Sequence, residues 1–105
     1  MLNVNEINDP ILDWVEERGG GYVWDAEVFA VTLLGTCFDD ADAAHLSRLV
    51  GVQQIAVDAS EMSMVGLETL ASIPGIASVV IRNGRLGPEE IARLRETCPE
   101  VLMIE

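Results

Sequence analysis

One short acidic segment contains residue types that could hold a metal ion. The segment DDADAAH begins at Asp39 and includes the only histidine of the chain. Asp42 and His45 stand three residues apart, so they would share one face of a helix, and Asp39 or Asp40 would complete the ligand set. A centre of this kind would make the protein a metal-binding protein or a metal-assisted hydrolase.

The same acids also suit the beginning of a helix. Carboxylates there accept hydrogen bonds from unpaired amides and lie at the positive end of the helix dipole. In this interpretation Asp39, Asp40 and Asp42 precede or open a helix, and His45 is a solvated side chain beside the core residue Leu46. Helix capping is the interpretation we prefer, with no cofactor and no metal, and the metal centre is its alternative.

Motifs for other catalytic chemistry are missing from the sequence. It contains no G-x-S-x-G, C-x-x-C or phosphate-binding loop. The glycines at 19–21 follow a predicted helix and not a strand, which indicates a helix end. One histidine and two distant cysteines make a Cys–His nucleophile pair improbable. We predict that the protein is not an enzyme.

The charge of the chain is strongly negative and unevenly distributed. The net charge is −12, and all six cations are arginines. Residues 1–70 carry 13 acids and two arginines, whereas residues 71–105 carry five acids and four arginines. Such a surface repels phosphate backbones and anionic lipids. We therefore expect no nucleic-acid partner and no membrane partner.

A hydrophobic pattern that recurs every 24 residues predicts the elements that position these residues. Each copy reads apolar-x-x-apolar-x-apolar, and the complete copies begin at Val28, Val52 and Ile76. A shortened fourth copy begins at Val101, one position later than the step predicts. The pattern predicts one buried strand per copy. Its residues are Val28, Val31 and Leu33, then Val52, Ile55 and Val57, then Ile76, Val79 and Ile81, and finally Val101 and Ile104.

A helical segment follows each complete strand at matching offsets. Ser63 and Gly87-Pro88 would begin the second and third helices. A strand-turn-helix unit cannot bury its apolar face alone and must stack on its neighbours, which indicates a solenoid. The apolar residues at the shared offsets are Phe38, Met62 and Leu86, then Ala43, Leu67 and Ile91, then Leu46, Leu70 and Leu94.

The repeats resemble the leucine-rich repeat proteins, in particular short bacterial ones with strand-turn-helix coils. The resemblance spans about residues 11–105 and rests on VQQIAVDASEMSMVGLETLASIPGI and IASVVIRNGRLGPEEIARLRETCPEV. The opening ILDWVEERGG resembles a capping segment of the family, and CPEVLMI resembles its closing segment. Thr36, Ser60 and Gly84 stand where many members have asparagine. The resemblance implies a curved parallel sheet, outer helices, a protein-binding concave face and no common catalytic residue.

We therefore predict a single α/β domain, a short right-handed solenoid with a parallel sheet and about three and a half coils. Residues 1–27 would form an N-terminal cap, with a helix starting at Asp9-Pro10 and a hairpin strand over Tyr22–Trp24. Residues 28–105 would form the repeats. Two coils would separate Cys37 from Cys98 by about 10 Å, so both thiols should be free. We see no signal peptide and no apolar run of roughly 20 residues, which favours a cytoplasmic protein.

The side chains between the buried strand positions should face the concave surface, because strand side chains alternate. Leu34, Val80 and Met103 supply most of its apolar area, and Asp58 could pair with Arg82. We predict a scaffold that binds a protein partner, or itself, through this surface. The predicted binding residues are Thr32, Leu34, Gln54, Ala56, Asp58, Ser78, Val80, Arg82 and Met103.

The last predicted strand, residues 101–105, would leave one edge unpaired. Unpaired strand edges can accept another chain, so a homodimer through this edge or through the concave face is a second hypothesis. Glu105 would instead blunt the edge with its charge. The sequence also leaves open that the chain works inside a larger assembly.

Overall fold

A computed structural model describes residues 4–24, 29–35 and 38–104, with side chains from residue 6 onward. The described chain contains four helices and five strands, and the strands form one open sheet in the order β1-β2-β3-β4-β5. The elements are α1 (Val4–Glu17), β1 (Gly21–Trp24), β2 (Phe29–Leu33), α2 (Asp40–Leu46), β3 (Gln54–Asp58), α3 (Met64–Ala71), β4 (Ser78–Arg82), α4 (Pro88–Arg95) and β5 (Glu100–Ile104).

The sheet is mixed, whereas we had predicted a parallel one. Strands β2, β3, β4 and β5 run parallel to one another, but β1 runs antiparallel to β2. The antiparallel pair is the hairpin predicted from Tyr22–Trp24, and its strand starts one residue earlier, at Gly21. The predicted turn of the hairpin, residues 25–27, lies outside the described residues.

The constant step of the sequence pattern is the register of the central strands. Val31 lies opposite Ile55, and Ile55 lies opposite Val79. Alternate strand residues and the apolar helix residues form one buried cluster, which lies between the sheet and the helices. The predicted helix positions Leu46, Leu70 and Leu94 belong to this cluster. Val28, the first residue of the pattern, lies outside the described residues.

The predicted register of the fourth copy is wrong by three residues. Val101 lies opposite Val79 and not opposite Ile76, so the last step is shorter than the step from Ile55 to Val79. In this register Cys98 is equivalent to Ile76, and both residues are buried in the core cluster. Because Pro99 ends the preceding turn and β5 begins at Glu100, the connection after α4 is shorter than those before it. The thiol of Cys98 is free, and Cys37 lies outside the described residues.

The first helix starts earlier than Asp9-Pro10 suggested. Helix α1 begins at Val4, and Pro10 lies inside it. Proline lacks an amide hydrogen, so this helix loses one backbone hydrogen bond without ending. The glycines end the helix as predicted: Gly19 adopts a φ of 85°, in the left-handed region, and the Gly20 amide donates to the Val15 carbonyl at 2.9 Å.

A buried asparagine fixes α1 to the repeats. Asn8 has no exposed surface, and its side-chain amide nitrogen donates to the Val50 carbonyl at 2.9 Å. Its side-chain oxygen accepts from the Val50 amide, also at 2.9 Å. One side chain thus satisfies both backbone groups of a residue 42 positions away. We had not singled out this residue from the sequence.

None of the described helices has the length and apolar character needed to cross a bilayer.

Candidate functional site: the open face of the sheet

One face of the sheet carries no helix in the described part of the chain. The buried apolar side chains of the helices all belong to the core cluster on the other face, and that cluster excludes Ala56 and Val80. The register places Thr32, Ala56, Val80 and Leu102 in one row across four strands. We call this surface the open face, and its strand residues are Gly21, Val23, Ala30, Thr32, Gln54, Ala56, Asp58, Ser78, Val80, Arg82, Glu100, Leu102 and Ile104.

The centre of the open face is less accessible than the alternation suggested. The exposed fractions of Ala56 and Val80 are only 7% and 9%. Neighbouring strands lie about 4.8 Å apart, so longer side chains beside these residues cover them. Ser78 is also buried, and its hydroxyl donates to the Glu100 carboxylate at 3.0 Å. Val80 therefore supplies little accessible apolar area, contrary to our expectation.

The accessible apolar area lies instead on the two edge strands: at Val23 on β1, which is 57% exposed, and at two residues of β5. The shorter fourth step places Met103 opposite Ile81 and so on the helix side, which corrects its predicted place on the open face. Leu102 and Ile104 take the open-face positions, with exposed fractions of 44% and 40%. Because β5 is an edge strand, only one neighbouring strand shields them.

Asp58 and Arg82 lie directly opposite each other on β3 and β4, as predicted. The Asp58 carboxylate is nevertheless held by other groups: it accepts hydrogen bonds from the Ser60 amide and the Asn83 side-chain amide, each at 3.0 Å. These bonds, with the nearby Arg82 charge, lower the pKa of Asp58 below its ordinary value. The carboxylate thus remains charged and fixed in orientation at the end of β3.

The remaining predicted residues frame this surface. Thr32, Gln54 and Arg82 are exposed, and Leu34 is half-buried in the turn after β2. Thr32 and Gln54 add neutral hydrogen-bonding groups, and Arg82 adds a cation beside Ile104. The face therefore combines a polar centre with an apolar end at β5.

The acidic segment at residues 39–45 caps a helix. The Asp42 amide donates to the Asp39 side chain at 2.9 Å, and the Asp39 amide donates to the Asp42 side chain at 3.1 Å. Arg18 binds both Asp42 oxygens, each at 2.9 Å, and the ring of His45 packs edge-on against Trp14 at 4.7 Å. Among the described residues, no group of three or more His, Cys, Asp or Glu side chains could hold a metal ion.

Asp40 connects the first repeat to the second. Its carboxylate accepts hydrogen bonds from the amide and the hydroxyl of Ser63, the residue before α3. These bonds lower the pKa of Asp40. Ser63 in turn accepts from the Val65 amide at 3.2 Å and so caps α3. The acids that suggested a metal centre therefore bind the starts of α2 and α3 and the Arg18 side chain.

The Arg18–Asp42 pair predicts a pH-dependent contribution to stability. Burial raises the pKa of Asp42, but the hydrogen bonds from Arg18 and the Asp39 amide outweigh it and lower the pKa overall. The pair therefore stabilises the fold above the unfolded-state pKa of about 4 and loses its effect as the pH falls further. Both groups are partly exposed, so we expect Arg18→Met to cost only about 1 kcal/mol of unfolding free energy at pH 7.

Urea unfolding of wild type and Arg18→Met between pH 7 and pH 3 measures this contribution. The difference in unfolding free energy between wild type and Arg18→Met should become smaller as the pH falls. Arg48→Met replaces an exposed arginine and should match wild type at every pH. A difference that stays constant with pH would show that the pair does not act through the Asp42 charge.

A polar groove of about 650 Å³ lies where β3 and β4 meet the starts of α3 and α4. Ser63, Asn83 and Arg85 line it, and Asn83 adopts a φ of 59°, in the left-handed region. We had not predicted this groove, because its residues come from two separate loops. Two of its side chains bond groups beside the groove: Asn83 donates to the Asp58 carboxylate at 3.0 Å, and Glu90 accepts from the Gly87 amide before α4 at 3.0 Å.

No family model matches the sequence, and no curated protein or solved structure matches it. The leucine-rich repeat interpretation rests on the spacing of the chain's own residues.

Proposed function

We propose that this chain is a protein-binding module whose contact surface is the open face, centred on its β5 end. The observation that carries the proposal is the exposure of Leu102 and Ile104 side by side on a face without a helix. Exposed apolar side chains clustered on a sheet face favour contact with another protein. The polar residues Thr32, Gln54 and Arg82 would then orient the partner around this apolar end.

We further propose that the parallel coils form a short right-handed solenoid of the leucine-rich repeat type. Backbone hydrogen bonds between successive copies support this interpretation. The Gln53 amide donates to the Phe29 carbonyl and the equivalent Ala77 amide to the Gln53 carbonyl. The Glu100 amide donates to the Ala77 carbonyl, as the equivalent Ser78 amide donates to the Gln53 carbonyl. In a solenoid each coil contacts chiefly its neighbours, which leaves the strand face available for binding.

The apolar end of the open face is small, which sets the expected strength of binding. Two exposed aliphatic side chains with a polar surround fall below the area of a standard stable interface. We therefore expect a transient complex unless the partner also pairs with the β5 edge. The acidic segments favour contact with a surface that is locally neutral or basic.

Site-specific photocrosslinking tests the proposal. A photoreactive phenylalanine analogue would replace Gln54 or Leu102 on the open face, or Val65 on α3 as a control. Val65 suits this purpose because it is exposed, apolar and on the helix side. We expect discrete crosslinked products in cells from positions 54 and 102 and none from position 65. Products from position 65 alone would place the contact on the helices and overturn the proposal.

A further inference from the structure

The outer edge of β5 has unpaired backbone groups. In the described chain β5 pairs only with β4, and the Glu100 amide donates towards β4, to Ala77, at 3.1 Å. Backbone groups of successive strand residues point to opposite sides within the sheet plane. The amide and carbonyl groups of Val101 and Met103 therefore point outwards, where a further strand could pair with them.

One arginine occupies part of this edge. A side-chain nitrogen of Arg95, on α4, donates to the Val101 carbonyl at 3.1 Å. The guanidinium thus occupies one outward acceptor, while no described residue bonds the amide and carbonyl of Met103 on that side. Arginine at an edge limits pairing with arbitrary strands, because any added strand must displace it.

The charge distribution favours a second copy of this chain as the added strand. With 13 acids and two arginines, residues 1–70 carry a net charge of −11, so contacts between two copies through that part are strongly repulsive. Residues 71–105, which include α4 and β5, carry five acids and four arginines, a net charge of only −1. The β5 edge is therefore where two copies approach with least repulsion, and it is also where Leu102, Met103 and Ile104 are exposed together.

We propose that two copies associate through their β5 edges, in antiparallel pairing about a two-fold axis, to form a continuous ten-stranded sheet. This inference rests on the proposed function and names its partner. The register that uses all outward groups pairs Val101 with Met103 of the second copy and makes four backbone hydrogen bonds. It also places Leu102 opposite Leu102 of the second copy, so the two open faces join into one.

The interface is small, and Arg95 must leave the Val101 carbonyl before pairing is complete. We therefore expect a weak dimer, with a monomer–dimer equilibrium between about 10 µM and 1 mM protein. Removing the Arg95 side chain frees the Val101 carbonyl and should strengthen the dimer. Arg95→Ala should therefore associate several-fold more tightly than wild type.

Sedimentation equilibrium over this concentration range tests the inference. Leu102→Glu should weaken association at least about tenfold, because it removes a leucine that the dimer would bury and places two carboxylates opposite each other. Met103→Pro removes an outward amide that β4 does not use and should also weaken it by roughly tenfold. Val23→Glu is the matched control, since Val23 is an exposed apolar residue on the opposite edge strand, and it should associate like wild type.

The outcomes separate this inference from the function on which it rests. If the chain stays monomeric at the top of this range and position 102 crosslinks to a different protein, the dimer inference is wrong. The proposal that the chain is a protein-binding module then still stands. Equal association of wild type, Leu102→Glu and Met103→Pro, with unfolding curves that show all three folded, also overturns the dimer inference. If the chain stays monomeric and position 102 gives no crosslink, both proposals fail.

Discussion

Asn8→Ala should lower the free energy of unfolding by about 2–3 kcal/mol. The substitution removes both hydrogen bonds to Val50 and leaves that residue's amide and carbonyl without their partner. It also leaves a space where a completely buried side chain packed. Because Asn8 joins α1 to the loop after α2, we expect the N-terminal helix to detach first as denaturant is added.

Urea unfolding followed by tryptophan fluorescence measures this effect, since Trp14 lies on the same helix. Asp9→Ala provides the control, because Asp9 is the exposed neighbour of Asn8, and it should change stability by less than about 0.5 kcal/mol. An Asn8→Ala midpoint equal to that of Asp9→Ala would show that the Val50 bonds do not hold the cap.

Gly20→Ala should destabilise the protein by roughly 1–3 kcal/mol through a steric clash. A Cβ atom at this position would lie 2.6 Å from the Thr32 carbonyl oxygen and 2.5 Å from the Leu33 side chain. The backbone oxygen belongs to β2 and cannot rotate away, so α1 or β1 must shift from the sheet. The same shift would open the capped end of the core at Val15, which lies 3.0 Å from the added atom.

The adjacent glycine gives a closely matched control. A Cβ atom at Gly21 would meet nothing within 4 Å, and the backbone there is not left-handed. Gly21→Ala should therefore be neutral, or slightly stabilising because it restricts the unfolded chain. Thermal unfolding of the two variants tests this, and equal melting temperatures would contradict the close packing of Gly20 against β2.

The repeat could be predicted because it is a property of spacing alone. Ile55 and Val79 occupy the same position of the apolar pattern in successive copies, and buried strands and helices both require such periodicity. The helix starts were also predictable, since Asp39 and Ser63 have the short polar side chains that cap helices. These features depend on residues close together in sequence.

The connections between distant segments could not be predicted in the same way. Asn8 bonds Val50 and Arg18 bonds Asp42, and neither pair belongs to the repeating apolar pattern of the sequence. A buried asparagine resembles a surface one until its partners are known. The Asp39–Asp42 segment suggested a metal centre for the same reason. The arginine that binds Asp42 comes from a distant part of the chain, just after α1, and the sequence does not show this pairing.

The candidate site was predicted in outline but not in its most exposed residues. The alternation of β3 and β4 correctly indicated Asp58 opposite Arg82. The error at Met103 arose because Val101 and Ile104 fit the apolar pattern in a register three residues away, and only the strand pairing distinguishes the two. Burial of Val80 depends on side chains from neighbouring strands, which a single-strand pattern does not contain.

Binding through the β5 end of the open face is tested by the dissociation constant of the protein crosslinked from position 102, whether that protein is a second copy or another chain. It should be compared for wild type, Leu102→Glu and Val65→Glu, with folding checked for each. We predict at least about tenfold weaker binding for Leu102→Glu and unchanged binding for Val65→Glu. Unchanged binding for Leu102→Glu, or an equal loss for Val65→Glu, would contradict binding through the β5 end of the open face.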